Sequence, residues 1–152
     1  MPRLKTKRTS SMLLPAAGSG QSEHASPRLK LNLRLLHGDI IAMGPGKADL
    51  LEYIVKTGSI SQAGRDMGMS YRRAWVLVDE MNRCFKKPLV ITSKGGTVGG
   101  GARLSELGEQ VLAHYRKMAA AAADVSLAYV GVFEGLMADP QEKPEGDNIL
   151  RD

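Results

Sequence analysis

Ser59-Ile60-Ser61-Gln62-Ala63-Gly64-Arg65-Asp66-Met67-Gly68-Met69-Ser70-Tyr71-Arg72-Arg73-Ala74-Trp75 carries the punctuation from which the rest of the chain can be read. Ser59 to Gln62 matches a capping box, in which the Ser59 hydroxyl takes the amide three residues on and Gln62 reaches back to the Ser59 amide. A short helix to about Met67 follows. Gly68 can adopt the positive φ that ends it, Met69 is an apolar turn residue, and Ser70 can cap a second, longer helix from Tyr71 to about Phe85. On that second helix Ala74, Leu77 or Val78, Met81 and Phe85 recur at three- and four-residue steps and are expected to face the core. Tyr71, Arg72, Arg73 and Arg83 are left turned outward, and Trp75 is expected in the core. The pattern is helix, tight turn, helix.

Working outward, Pro88 stops helical propagation and Leu89-Val90-Ile91-Thr92 reads as a short β-branched strand. A glycine-rich run from Gly95 to Gly101 leads to Ala102-Arg103-Leu104, which can return as the partner strand, so a hairpin, or wing, directly follows the helical pair. Upstream, Gly44-Pro45-Gly46 opens a helix whose Leu50, Leu51, Ile54 and Val55 share a face and which Gly58 stops. Before it, Leu29, Leu31, Leu33 and Leu35 alternate with polar residues as in a strand with one buried face, and His37-Gly38-Asp39 reads as a turn.

Downstream, Ser105 is an N-cap for one long helix to about Met137. Its Leu107, Val111, Tyr115, Met118, Ala122, Val125, Tyr129, Val132 and Leu136 form a heptad-like stripe. Ala119 to Ala123, Gly131 and Gly135 let a neighbouring helix approach closely. The helix is therefore expected to pair with its copy in a second subunit through Val111, Tyr115, Met118, Ala122, Val125, Tyr129, Val132 and Leu136. The expected fold is mainly α with a small β component, a winged helix-turn-helix over 28–138 with a long C-terminal dimerisation helix. Residues 1–27, rich in Ser, Pro, Gly and Ala, form a flexible basic arm, and 139–152 a disordered acidic tail.

The chain has 152 residues, 43% of them hydrophobic, enough for one modest core, and a formal net charge of +5. The charge is uneven. Between Lys56 and Arg103 lie Lys56, Arg65, Arg72, Arg73, Arg83, Lys86, Lys87, Lys94 and Arg103 against Asp66, Asp79 and Glu80, the electrostatic footprint of a nucleic-acid site. No stretch approaches the ~18 apolar residues of a membrane span, and Met12 to Ala17 is too short and Pro-broken for a signal peptide. A cytoplasmic protein with no membrane partner is expected, and Cys84, the only cysteine, agrees with a reducing compartment.

Catalytic and cofactor chemistry find no constellation. Gly95 to Gly101 lacks the Lys-Ser or Lys-Thr end of a P-loop and lies between strands rather than before a helix. His24, His37, His114 and Cys84 show no ligand spacing, and the adjacent Asp79 and Glu80 point to different helix faces. No enzyme activity, metal or cofactor is expected. Arg72 and Arg73, on the first turn of a recognition helix, are placed to reach base edges in a major groove. Tyr71 stands beside them, Ser61, Gln62 and Ser70 can donate to phosphate from helix N-termini, and Lys94 and Arg103 flank the wing where phosphate or the minor groove would lie.

At these residues the sequence resembles the N-terminal domain of the molybdate-responsive transcriptional regulators, the ModE family, itself related to LysR-type DNA-binding domains. The carrying motifs are Thr57-Gly58-Ser59-Ile60-Ser61-Gln62-Ala63, Met69-Ser70-Tyr71-Arg72-Arg73-Ala74-Trp75, Asp79-Glu80-Met81-Asn82, Gly99-Gly100-Gly101-Ala102 and the start of the last helix from Leu104 to Gly108. The resemblance covers Leu29 to about Leu136. It implies a winged helix that dimerises through its first strand region and long last helix and binds a palindromic promoter site in double-stranded DNA. Regulators of this family usually carry C-terminal molybdate-binding domains. The sequence ends soon after its last expected helix, so sensing of an oxyanion effector is not expected of this chain. The residues' own alternatives to sequence-specific regulation are a protein docking module and a nonspecific DNA-binding protein.

Overall fold

Two left-handed glycines set the corners of the helical half. The computed structural model describes residues 26–95 and 101–139; the arm up to Ala25, the tail from Pro140 and the hairpin tip 96–100 lie outside the described residues. Within Pro27–Met137 the order is β1 (Leu35–His37), β2 (Ile40–Met43), α1 (Pro45–Thr57), α2 (Ile60–Asp66), α3 (Tyr71–Cys84), β3 (Val90–Ser93), β4 (Gly101–Leu104) and α4 (Glu106–Glu134). The unit is mainly helical, with two small antiparallel sheets, β1–β2 and β3–β4.

Gly58 closes α1 at φ 66°, its amide donating to the Ile54 carbonyl, and Gly68 at φ 73° carries the chain from α2 towards α3. A side chain at either would force a conformation that L-residues rarely adopt. The serine caps stand as expected: the oxygens of Ser59, Ser70 and Ser105 accept from the amides of Gln62, Arg73 and Gly108. The reciprocal half of the first capping box does not form. The Ser59 amide donates to Thr57 Oγ1 at 3.3 Å, and Gln62 Nε2 donates forward to Asp66 Oδ1 at 2.8 Å.

The core is shared by every element except β1. Met43, Leu50, Leu51, Ile54, Met81 and Leu89 are fully buried, joined by Ile60, Ala63, Ala74, Leu77, Val78, Val90, Leu104 and Tyr115. Phe85 packs against it half-buried. Val55, expected on the buried face of α1, is 62% exposed, because Leu50, Leu51 and Ile54 already fill the side that α2 and β4 cover.

Two close joints hold the layers. A Cβ on Gly64 would lie 2.8 Å from Ala74 Cβ, so α2 meets α3 nearly backbone to side chain. A Cβ on Gly108 would lie 2.2 Å from the Leu89 carbonyl oxygen, where α4 crosses the start of β3. The Ser105 hydroxyl donates to the Pro88 carbonyl at 2.7 Å and its amide to the Leu89 carbonyl at 2.8 Å, fixing the same joint.

The first strand is displaced from its expected position. Residues 26–34 have no ladder; the strand begins at Leu35 and pairs, through the turn at Gly38, with Ile40–Met43, which the leucine pattern did not announce. The alternation instead belongs to an extended segment: Leu29, Leu31 and Leu33 line one groove with Ala119, Ala123 and Leu127 of α4. An extended chain shows one face to a helix with the same period of two that a strand shows to a core. Tyr115, expected at a subunit interface, is 5% exposed inside this chain, and its hydroxyl donates to the Leu33 carbonyl at 2.8 Å.

Candidate nucleic-acid interface

The residues named from the sequence gather mainly at the N-terminal end of α3. Ser70 lifts the chain into the helix, and the first turn leaves Tyr71, Arg72 and Arg73 exposed. With Ala74, Leu77, Val78 and Met81 buried, residues one turn apart on the far side, Arg72 and Val76, then Asp79 and Arg83, point away from the protein. Arg83 engages Asp79 in an exposed i,i+4 ion pair, so the outward cationic charge of the first two turns is that of Arg72 and Arg73.

The two arginines stand on different ground. Arg73 lines a groove of about 420 Å³ with Arg34, Gly44, Lys47 and Glu80. Lys47 is buried, which its residue type does not suggest: only 6% exposed, its Nζ lies 2.9 Å from Glu80 Oε2 and donates to the Ile41 carbonyl. This pair ties α3 to α1 and β2. A desolvated ammonium needs such partners, and the lysine's place amid the apolar residues of α1 was a signal only in retrospect.

Ser61 is half-buried in the first turn of α2, and Gln62 is exposed with its amide engaged on Asp66. The Ser70 oxygen is engaged as acceptor by the Arg73 amide, which leaves its O–H free to donate outward. The hairpin docks on the α1–α2 corner through the Ala102 amide, which donates to the Gly58 carbonyl at 2.8 Å, and is braced by Ser93 against Gly101. Lys94 and Arg103 are exposed on it; Arg103 pairs across the ladder with Ile91 and donates to its neighbour's carbonyl, that of Leu104, at 3.4 Å.

Sequence reasoning missed three residues here. Trp75, expected in the core, is 38% exposed and tilted against Tyr71 with ring centroids 6.1 Å apart. Val76 is also exposed, at 39%. Their signal was available, since positions 75 and 76 fall between the core positions 74 and 77 on the turn that faces out. Asn82 is the third: its Oδ1 accepts from the amides of Leu89 and Val90 and its Nδ2 donates to the Val90 carbonyl, so α3 anchors the first strand of the hairpin.

The dimerisation positions divide. Val111 packs half-buried against the core with Leu107 and Leu112, and Tyr115 lies within it. Ala122 is half-buried, whereas Met118, Val125, Tyr129 and Val132 are exposed along the outer part of α4; Leu136, expected on the same helix, is exposed just beyond its end at Glu134. Arg116 anchors the inner part, pairing with Asp49 at 2.6 Å and Glu52 at 2.7 Å; those two carboxylates hold its guanidinium firmly in the charged form. Among the described residues no group of three or more His, Cys, Asp or Glu is placed to hold a metal ion, and no helix is long and apolar enough to cross a membrane.

No protein-family model matches the chain. It is similar to the molybdenum-pterin-binding protein MopB of Rhodobacter capsulatus, 38% identical over 104 residues that cover 68% of this chain and 37% of that one. It is 40% identical over 75 residues to the DNA-binding transcriptional dual regulator ModE of Escherichia coli K12, covering 49% and 29% of the two chains. It is 38% identical over 77 residues to the molybdenum transport protein ModE of Azotobacter vinelandii, covering 51% and 28%. Two of these names carry molybdenum, so they lend no support to the expectation that an oxyanion effector is absent. The chain spans about a third of the length of the curated relatives it matches, and what it shares with them is a ModE- and Mop-like segment.

Proposed function

We propose that the chain binds double-stranded DNA sequence-specifically as a homodimeric transcriptional regulator of molybdenum-related genes, acting by binding rather than by catalysis. In this reading α2 and α3 are a helix-turn-helix, β3–β4 is its wing, and two copies of α3 enter successive major grooves ~34 Å apart. The observation that carries it is the capped first turn of α3, where Arg72 and Arg73 stand exposed beside Tyr71. A guanidinium offers two N–H donors in the geometry of guanine O6 and N7, while Lys94 and Arg103 on the hairpin are suited to phosphate. The likeness to a DNA-binding regulator over a segment of this size supports the same assignment.

The test is selection of fragments from sheared genomic DNA of the source organism by the purified protein, at near-physiological salt, with and without molybdate. Enrichment of one palindrome is expected. Retention without enrichment contradicts sequence-specific regulation and leaves a nonspecific DNA-binding protein. A second reading, a protein docking module, is favoured by the exposed Val125, Tyr129 and Val132 of α4 and Leu136 just after it; it is chosen if no DNA is retained even at low salt, where phosphate neutralisation makes DNA binding strongest.

A further inference from the structure

Trp75 and Val76 are left unexplained by a purely polar reading of α3. An isolated surface valine needs no explanation, but this one is not isolated: Tyr71, Trp75 and Val76 are 64%, 38% and 39% exposed on adjoining positions of one helix. Trp75 is tilted against Tyr71, their ring centroids 6.1 Å apart. The strip lies among Arg72, Arg73 and Arg83, and its carboxylate neighbour Asp79 is engaged by Arg83. An apolar protein surface or a neutral lipid would have to desolvate those arginine charges unpaired, whereas a polyanion is complementary to them. Within a DNA major groove, the apolar feature on the base edges is the thymine 5-methyl group.

Resting on the DNA-binding reading above, we propose that Trp75 and Val76 are specificity-determining residues that take thymine 5-methyl groups, so that each half-site carries thymine within a few base pairs of the guanine read by Arg72. Val76 follows Arg72 by one turn on the outward face, so both reach the floor of the same groove. Trp75 flanks them towards Tyr71.

The experiment uses the 152-residue protein and a fluorescein-labelled 24-base-pair duplex (a length of about two helical turns) that the protein itself selects from a randomised library. Thymidines are replaced one at a time by deoxyuridine, which deletes only the 5-methyl group, and affinity is read by fluorescence anisotropy at two salt concentrations. Wild type is expected to lose about fourfold at one or two positions per half-site, the size of one buried methyl group. Val76→Ala or Trp75→Leu is expected to abolish that sensitivity at its own position while keeping the salt dependence. Val76→Ala is an exposed substitution towards a better helix former, so folding is preserved. A wild type indifferent to every deoxyuridine, or sensitivity kept in both variants, overturns the proposal and leaves the DNA reading standing. Failure to bind any duplex in a salt-dependent way overturns both.

Discussion

Arg72 and Arg73 follow one another on the helix but sit differently, Arg73 lining the groove with Lys47 and Glu80. Arg72 points straight outward, so Arg72→Ala is expected to cost ~1 to 3 kcal/mol of DNA binding and to relax preference at one base pair. Lys94→Ala is expected to weaken all sequences alike and to reduce the salt slope by about 1, which titration at several ionic strengths will read. Tyr115 makes a prediction of another kind. Burial, with a smaller push from Asp49 and an opposing pull from Arg116, holds its hydroxyl above the usual tyrosine range. The folded chain therefore keeps the proton after the unfolded chain has begun to lose it. The resulting stabilisation is complete below pH ~10 and fades as pH rises through the raised value. Tyr115→Phe should cost about 0.5 to 1.5 kcal/mol at neutral pH, since the Leu33 carbonyl loses its donor, and should flatten the alkaline limb of a urea-denaturation series. Individual side chains were legible where a turn of helix decided their direction, as for Arg72. They were not where the residue type suggested burial and the helix phase did not, as for Trp75, nor where a charge found its partner across the fold, as for Lys47 and Glu80.

Helices were the most readable elements because their boundaries are written locally. Ser59, Ser70 and Ser105 each satisfy an amide within three residues, and Gly58 and Gly68 supply the turns. The β1–β2 hairpin was harder. Its partner strand and register depend on contacts that the alternating leucines do not encode, and the leucines at 29, 31 and 33 serve α4 instead. Two glycines of α4 separate packing from propensity. Gly108 has the Leu89 backbone where a side chain would go, whereas nothing lies within 4 Å of a Cβ at Gly131. Gly108→Ala is expected to destabilise by about 1 to 3 kcal/mol through that clash, and Gly131→Ala to stabilise a monomeric chain by about 0.5 to 1 kcal/mol through helix propensity; chemical denaturation of both variants at concentrations that keep the chain monomeric checks the opposite signs.

The chain as a whole sets a small core beneath a basic helix end and extends α4 well beyond that core. Tyr115 is the last residue of α4 in the core, and the exposed Val125, Tyr129, Val132 and Leu136 lie three or four residues apart beyond it. If they mate two copies, Val125→Glu with Val132→Glu should give a monomer by sedimentation velocity at micromolar concentration with unchanged helix content, and should weaken binding to a two-half-site duplex far more than to a single half-site. The most direct test of DNA reading by α3 replaces Arg72 and Arg73 together by alanine and measures affinity for the duplex the wild type selects, beside a scrambled duplex of the same length. With the arginines as the base-reading groups, the preference for the selected sequence is expected to collapse while weak, salt-sensitive binding to both duplexes remains; wild-type affinity and preference in the double variant would contradict that role.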